Sequence, residues 1–501
     1  MRPIETLLLL ANLLTFCGLA LPLPQAMLWL RYAALIALLI AVAQVLVEGA
    51  RWQMIPAYAL TGIFFLIWLL PKITRVNWAT NRFVIGLTVG LGVLALALAI
   101  ALPIILPVFH FPQPSGPYAI GTLTYHWIDT SRHEIFSADP SARRELMVQV
   151  WYPAQDDPAA PRAPYMQDAR ALSPALARLA HWPGFVFEYL QYVTTHAAAS
   201  VPVAPDQPNY PLLIFLEGLS GFRQMNTFQV EALVSHGYIV AAIDQPYAAA
   251  SVVFPDGRQI SGWTKAQIDP LIQQSISPVE NAPMLNGQAL KDGIMPYFAQ
   301  DVSFTFDQLT ALDKSDPNGI LTGRLDLQRV GTFGISLGAM VAGEACRMEP
   351  RLHACLMMDA AMPAAVVQAG LRQPSLWITR DADMMRLERA QAGGWTEADI
   401  TQTLTTMRAV FEQSLPGKVY YVSVPGMFHV NFTDVPYFSP LAPQLGFAGP
   451  LAAQRGFDIV NAYSLAFFDQ HVKGGCPLGV AVLLDGPAEQ YPEVIFETRR
   501  P

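Results

Sequence analysis

Apolar residues are unevenly spread along this chain. Up to about residue 110 they fall into four runs, 4–22, 26–47, 54–71 and 83–109, each near the twenty or so residues that cross a hydrocarbon core. Glu5 and Glu48 are the only acidic residues there. A cleaved leader would account for one run, so four predict a four-helix transmembrane domain over residues 1–111. The short link holding Pro22 and Pro24 implies that the first two helices are antiparallel, and Arg31 is placed to snorkel to the interface. Lys72, Arg75 and Arg82 crowd the link between helices three and four, whereas the link between two and three has only Arg51 beside Glu48. The positive-inside rule therefore puts the third link in the cytoplasm and both the N-terminus and everything after residue 110 outside, with Arg2 pointing the other way. The expectation is a multi-pass protein whose larger domain is extracytoplasmic.

After the Pro/Gly-rich connector at 112–117 the pattern changes to short apolar runs alternating with helical periods. Strands are predicted near 119–127, 146–152, 211–216, 238–243, 329–334, 354–358, 375–379 and 418–424. The later ones are almost continuously apolar, as strands covered on both faces are. Helical patterns are clearest at 225–236, 301–313, 337–348 and 457–472. Alternation of this kind predicts an α/β domain over 112–501, built on a mostly parallel eight-stranded sheet with helices on both faces. Two Pro-containing stretches, 155–208 and 255–300, interrupt it and read equally well as lids beside a site or as surface excursions. No internal repeat or low-complexity tract is present.

One turn in this pattern carries chemistry. Val330-Gly-Thr-Phe-Gly-Ile-Ser-Leu-Gly338 runs from an apolar strand through Gly-x-Ser-x-Gly into a helix, which holds the Ser336 hydroxyl up at the sheet edge in a nucleophile's position. A serine needs a base, and in such a sheet the base follows the serine in the chain. His353 lies too close to the next strand, and His471 falls in the last amphipathic helix, where an exposed position is expected. His429 follows the strand at 418–424 and a Pro-Gly turn at the carboxyl edge, and is the candidate base. Two places compete for the acid that orients it: Asp359 after Ala-Cys-Leu-Met-Met, or Asp381 and Asp383, which Arg380 would neutralise. An oxyanion would be held by the amides of Leu337, after the serine, and Leu219, in the loop 216–223. Ser220 reads as a turn residue.

Composition agrees with lipid contact: 52% of residues are hydrophobic and 14% charged, where about a quarter is usual for soluble domains. A net charge of −8 without basic runs excludes a nucleic-acid partner. Cys17, Cys346, Cys355 and Cys476 show neither metal-ligand spacing nor a disulfide framework and read as small buried apolar residues. No metal or organic cofactor is expected.

Taken together, Tyr210–Arg223, Val234–Asp244, Arg329–Ala339, Met357–Ala360 and Gly426–Phe432 resemble the platelet-activating-factor acetylhydrolase family of α/β-hydrolases over roughly residues 117–480. The resemblance implies that Asp359 is the acid and that the chain hydrolyses short or oxidised acyl esters, modified phospholipids included, without calcium. Its partners would be an ester or amphiphile and the bilayer. This chain has Glu217-Gly218 where the family has His-Gly, and Ile335 where it has His before the serine. Glu217 would set a carboxylate near a site that must stabilise negative charge. An acyltransferase with the same triad, an esterase of other specificity, including a polyester or lactone hydrolase, and a non-catalytic membrane sensor remain open from sequence.

Overall fold

The computed structural model describes residues 1–21, 24–74, 82–179, 181–416, 418–475 and 481–499. Pro22, Arg75 and Cys476, used above, lie outside them, as do the side chains of Arg31 and Arg82. The chain divides into two compact units, one of 1–109 with 437–441 and the other of 110–436 with 442–501.

Four α-helices build the first unit: α1 (Pro3–Ala20), α2 (Ala33–Val47), α3 (Ile55–Thr74) and α4 (Arg82–Ile105). Three have stretches long and apolar enough to cross a membrane, whereas α2 is shorter, because Gln25–Tyr32 at the head of the second run forms a 3₁₀ segment. At one end of the bundle Arg51 donates to both oxygens of Glu5, at 2.7 and 2.8 Å, and to the Leu106 carbonyl. Glu48 accepts from the Ile4 and Glu5 amides that open α1. Buried charge is tolerated here because each ion is paired and hydrogen-bonded. At the other end Lys72 lies 3.2 Å from the ring centroid of Trp68. That is a cation–π pairing.

The second unit carries strands β1 (Ala119–His133), β2 (Arg143–Ala154), β3 (Arg162–Pro164), β4 (Thr194–Ala199), β5 (Tyr210–Leu216) and β6 (Ile239–Asp244). Two hairpins follow, β7 (Ser251–Val253) with β8 (Gln259–Ser261) and β9 (Met284–Leu285) with β10 (Gln288–Ala289). Then come β11 (Leu325–Ile335), β12 (Ala354–Met358), β13 (Ser375–Thr379), β14 (Val419–Ser423) and β15 (Ile495–Thr498). Helices α5 (Ala169–Leu179), α6 (Thr227–Ser235), α7 (Lys265–Ile276), α8 (Met295–Lys314) and α9 (Leu337–Met348) alternate with them, and α10 (Ala364–Ala369), α11 (Ala382–Ala392), α12 (Glu397–Gln413) and α13 (Ala453–His471) complete the order.

The main sheet has eleven strands rather than the expected eight, in the order β15-β14-β13-β12-β11-β5-β6-β2-β1-β4-β3. The central six, β14 to β6, are mutually parallel. The extra strands β3, β4 and β15 sit at the edges, where short, weakly apolar segments such as Thr-Thr-His-Ala-Ala-Ala are recruited by backbone pairing and leave no hydrophobic signature. Neither interruption is a loose excursion: 155–208 supplies β3 and β4, and in 255–300 Ile268, Leu271, Ile272 and Ile276 of α7 join the main core. Along β5, Leu212, Ile214 and Leu216 pack in the cluster that holds α8 and α9, while Phe215 faces Phe333, which in turn meets Phe468 of α13. Alternate side chains therefore meet helices on opposite faces.

The cysteine reading is corrected. Cys346 near the end of α9 and Cys355 in β12 form a disulfide across 6.5 Å between Cα atoms, both buried. The helix folds back antiparallel onto the neighbouring strand, so a nine-residue separation becomes a contact that no spacing rule flags. His471 is corrected too: it is partly buried against the Tyr420 hydroxyl at 3.0 Å, and burial, with Lys418, pushes its pKa down to about 4.

Loop-closure entropy for so short a loop predicts that C346A/C355A loses roughly 2–3 kcal/mol of stability. Denaturant unfolding of the detergent-purified protein, with and without reductant, measures it; equal midpoints would count against the bond.

Candidate active site

Register across the parallel strands decides which residues meet. Ile335 pairs with Met358, and Met358 with Ile378, so β11, β12 and β13 end level and their next residues, Ser336, Asp359 and the pair Thr379-Arg380, emerge together. Ser336 donates its amide to the Met358 carbonyl at 2.9 Å, and Asp359 donates to Ile378 at 3.1 Å. The carboxyl edge of a parallel sheet is where such folds place their chemistry.

The turn at Ser336 is tight. Its φ of 56° is left-handed, which a non-glycine residue adopts only when its surroundings impose it. Gly338 makes it possible, since a Cβ there would lie 2.1 Å from the Leu216 carbonyl oxygen. Gly334 is equally constrained, with 2.3 Å to the Gly338 oxygen. The loop after β5 is close enough that a Cβ on Gly218 would stand 3.2 Å from that of Ser336. Leu219 follows in this loop and Leu337 opens α9, and neither amide is among the backbone donors of turns and caps in the described residues. Ser220 has φ 59° and donates to Ala248, as a turn residue.

Asp359 is 1% exposed and also has a left-handed φ, 46°. Its Oδ2 lies 2.6 Å from Nδ1 of His429 and accepts from Arg380 Nε at 2.9 Å, and its Oδ1 accepts from Thr379 Oγ1 at 3.0 Å. Burial pushes the carboxyl pKa up, but Arg380, His429 and Thr379 outweigh it and hold the value at about 2. Being below the ordinary carboxylate range, this group contributes stability that is complete above about pH 4 and lost only as pH falls towards 2. An acid limb of activity at higher pH must then belong to another group.

Asp381 and Asp383 do not reach His429. Asp381 caps α11 by accepting from the Met384 amide, and the exposed Asp383 pairs with Arg386. Arg380 neutralises neither; it turns to Asp359 and Glu388. His353 is exposed, its amide bonded to Val330. Arg380, Thr379, Glu388 and Trp395 are the residues sequence reading missed. An arginine directly after an apolar strand was the only signal, and it was read towards the wrong carboxylates.

Glu217 is buried rather than exposed at the edge. It is 2% exposed, its Oε1 accepts from the Gln245 amide at 3.0 Å, and its Oε2 has no partner among the described residues. Burial first, then the nearby Asp244, raises its pKa well above the usual carboxylate range, so the neutral acid is favoured. Gln245 in turn donates to Asp301, which Arg144 and Arg132 bind at 2.7 Å each. Glu217 thus ties the loop after β5 to a buried polar network. Among the described residues no group of His, Cys, Asp and Glu has the arrangement of a metal site.

Because a carboxamide reproduces the neutral acid's acceptor, E217Q is expected to keep ester turnover within about threefold, while E217A, which strands the Gln245 amide, loses about tenfold or more. Steady-state kinetics on a chromogenic ester compare them; a large loss in E217Q would mean that the ionised form matters.

Four likenesses bear on this geometry. The family model for platelet-activating factor acetylhydrolase, isoform II, matches residues 105–266, which hold the Glu217 loop. Platelet-activating factor acetylhydrolase of Gallus gallus is 21% identical over 73% of this chain and 84% of its own length. A probable 1-alkyl-2-acetylglycerophosphocholine esterase of Arthroderma benhamiae is 24% identical over 77% of this chain and 94% of its own. Among solved structures, a ferulic acid esterase from Streptomyces cinnamoneus superposes with a TM-score of 0.59 at 28% identity, covering 78% of this chain and all of that one. With this sheet and this carboxyl edge, the chain is similar to the platelet-activating factor acetylhydrolases, has an α/β-hydrolase-like fold preceded by apolar helices, and is a carboxylic-ester hydrolase.

Proposed function

We propose that the chain is a membrane-anchored serine esterase working through Ser336, His429 and Asp359. The observation that carries this reading is the 2.6 Å contact from Asp359 to His429 Nδ1 beside a serine held on a left-handed turn of the adjacent strand. Asp359 keeps the Nδ1 proton in place, leaving Nε2 as the base. Ser336 Oγ bonds to the ester carbonyl carbon as its proton passes to Nε2. The oxyanion is held by the amides of Leu219 and Leu337, which have no competing backbone acceptor in their turns. Collapse breaks the carbon–oxygen bond, and Nε2 returns the proton to the leaving alcohol. Water, deprotonated by His429, then attacks the acyl-enzyme and frees the acid and Ser336. No step calls for a metal or organic cofactor.

The proposed substrates are esters of short or oxidised acyl chains, modified phospholipids among them, as the sequence resemblance implies; the relatives' names support the acetyl ester of a glycerophosphocholine. The ferulic acid esterase likeness favours a second reading, an aromatic-acid ester. We place the apolar helices across a bilayer as a four-helix transmembrane domain, residues 1–111, with the catalytic domain, 112–501, outside the cytoplasm. Supporting this, the charges of Arg2 and Arg51 are balanced by Glu5 and Glu48, so the basic link from Lys72 to Arg82 dominates the asymmetry. A buried disulfide between α9 and β12 also fits an oxidising compartment.

Detergent-purified protein should hydrolyse chromogenic esters of two to four acyl carbons far faster than those of eight to twelve, with S336A and H429A reduced about 10⁴-fold or more. A preference for feruloyl esters would favour the second reading, and undiminished S336A would sink both. Separately, a cysteine introduced at the exposed Pro161 should react with a membrane-impermeant maleimide on intact cells. Labelling only after lysis would reverse the proposed orientation.

A further inference from the structure

His429 is gripped by more than its acid. Arg380, wholly buried, stands behind Asp359 and donates to the same Oδ2 that meets the imidazole. Its other arm is bonded to Glu388 of α11. Glu388 Oε2 also accepts from the backbone amide of His429, at 3.4 Å. The guanidinium carbon lies 4.9 Å from the ring centroid of Trp395, and that ring stands edge-on to the imidazole, centroids 5.2 Å apart at 69°. The contacts close on themselves: Asp359 to His429, His429 to Trp395, Trp395 to Arg380, Arg380 to Asp359, with Glu388 joining Arg380 to the histidine's backbone.

These residues come from separate places. Arg380 follows β13, Glu388 is in α11, and the half-buried Trp395 lies just beyond Gly393 and Gly394, between α11 and α12. The whole insertion between β13 and β14 thus bears on the histidine that follows β14. An acid alone would fix one ring nitrogen and leave the ring free to swing about that bond; a flat indole and an anchored backbone amide remove that freedom. A buried cation between two carboxylates also has an electrostatic effect. It balances part of the charge that Asp359 presents to the imidazole.

We propose, resting on the Ser336, His429 and Asp359 reading above, that Arg380, Glu388 and Trp395 form a positioning clamp that fixes the orientation of His429 and sets its basicity. None of the three need touch substrate. The signature is electrostatic and signed. Removing Arg380 leaves Asp359 uncompensated and favours imidazolium, raising the acid limb of kcat/KM; removing the Glu388 charge acts in the opposite direction. A purely structural part would lower the amount of active protein and leave the limb unmoved.

The test is kcat and KM from pH 5 to 9 on a short-acyl chromogenic ester, with full-length protein in detergent, for wild type, S336A, R380M, E388Q, W395F and W395L. Turnover by S336A equal to wild type would overturn the parent reading and the clamp with it. With S336A inactive, R380M is expected to lose about 10²-fold in kcat with KM within about threefold. Its acid limb should move up by about one pH unit and that of E388Q down by a fraction of one. W395L should lose about tenfold in kcat and W395F little. If R380M does not purify as folded protein, E388Q and W395L decide, both being conservative in volume or partly exposed. An unmoved limb in R380M, whatever its kcat, or in E388Q where R380M is lost, would overturn the clamp while leaving the triad standing.

Discussion

A single buried carboxylate organises the edge of the sheet. Asp359 stands at the end of an apolar strand with no access to water, and an ion there is tolerated only if its lone pairs are met. Thr379, Arg380 and His429 meet them, one from the end of β13, one immediately after it, and one from the loop after β14. Each partner is drawn to the carboxylate by the cost of leaving it alone. The same bonds that make the ion tolerable therefore also place the histidine.

The constraint reaches further through strand register. Parallel pairing sets β11, β12 and β13 level at their carboxyl ends, so the serine turn, the acid and the arginine emerge side by side. Tight packing under the turn then excludes side chains at Gly334 and Gly338. On the far side of β11, Glu217 links the loop after β5 to Gln245 and the Asp301 network. Rigid strands and a buried polar network hold these loops in place.

How much of this can be read from sequence depends on whether the cause is local. The serine turn is legible because its requirements, an apolar strand, small residues at fixed offsets and a helix, are adjacent in the chain. The eight strong strands are legible because burial on both faces demands continuous apolar runs. The edge strands β3, β4 and β15 are not, since backbone pairing recruits them without asking anything of their side chains. His471 looked exposed on helical periodicity and is partly buried by the neighbouring strand's Tyr420.

The sequence by itself determined the apolar N-terminal helices, the α/β character of the rest, and a short set of polar residues at strand ends from which a site can be built. Only tertiary structure decided among them: Asp359 rather than Asp381 against His429, Arg380 behind the acid, Cys346 bonded to Cys355, and Glu217 buried with its pKa raised. Those outcomes turn on register, on helix-to-strand return and on desolvation, which act between residues distant in the chain. A linear pattern carries periodicity, but not the dielectric or the neighbours each side chain will meet once the sheet has closed.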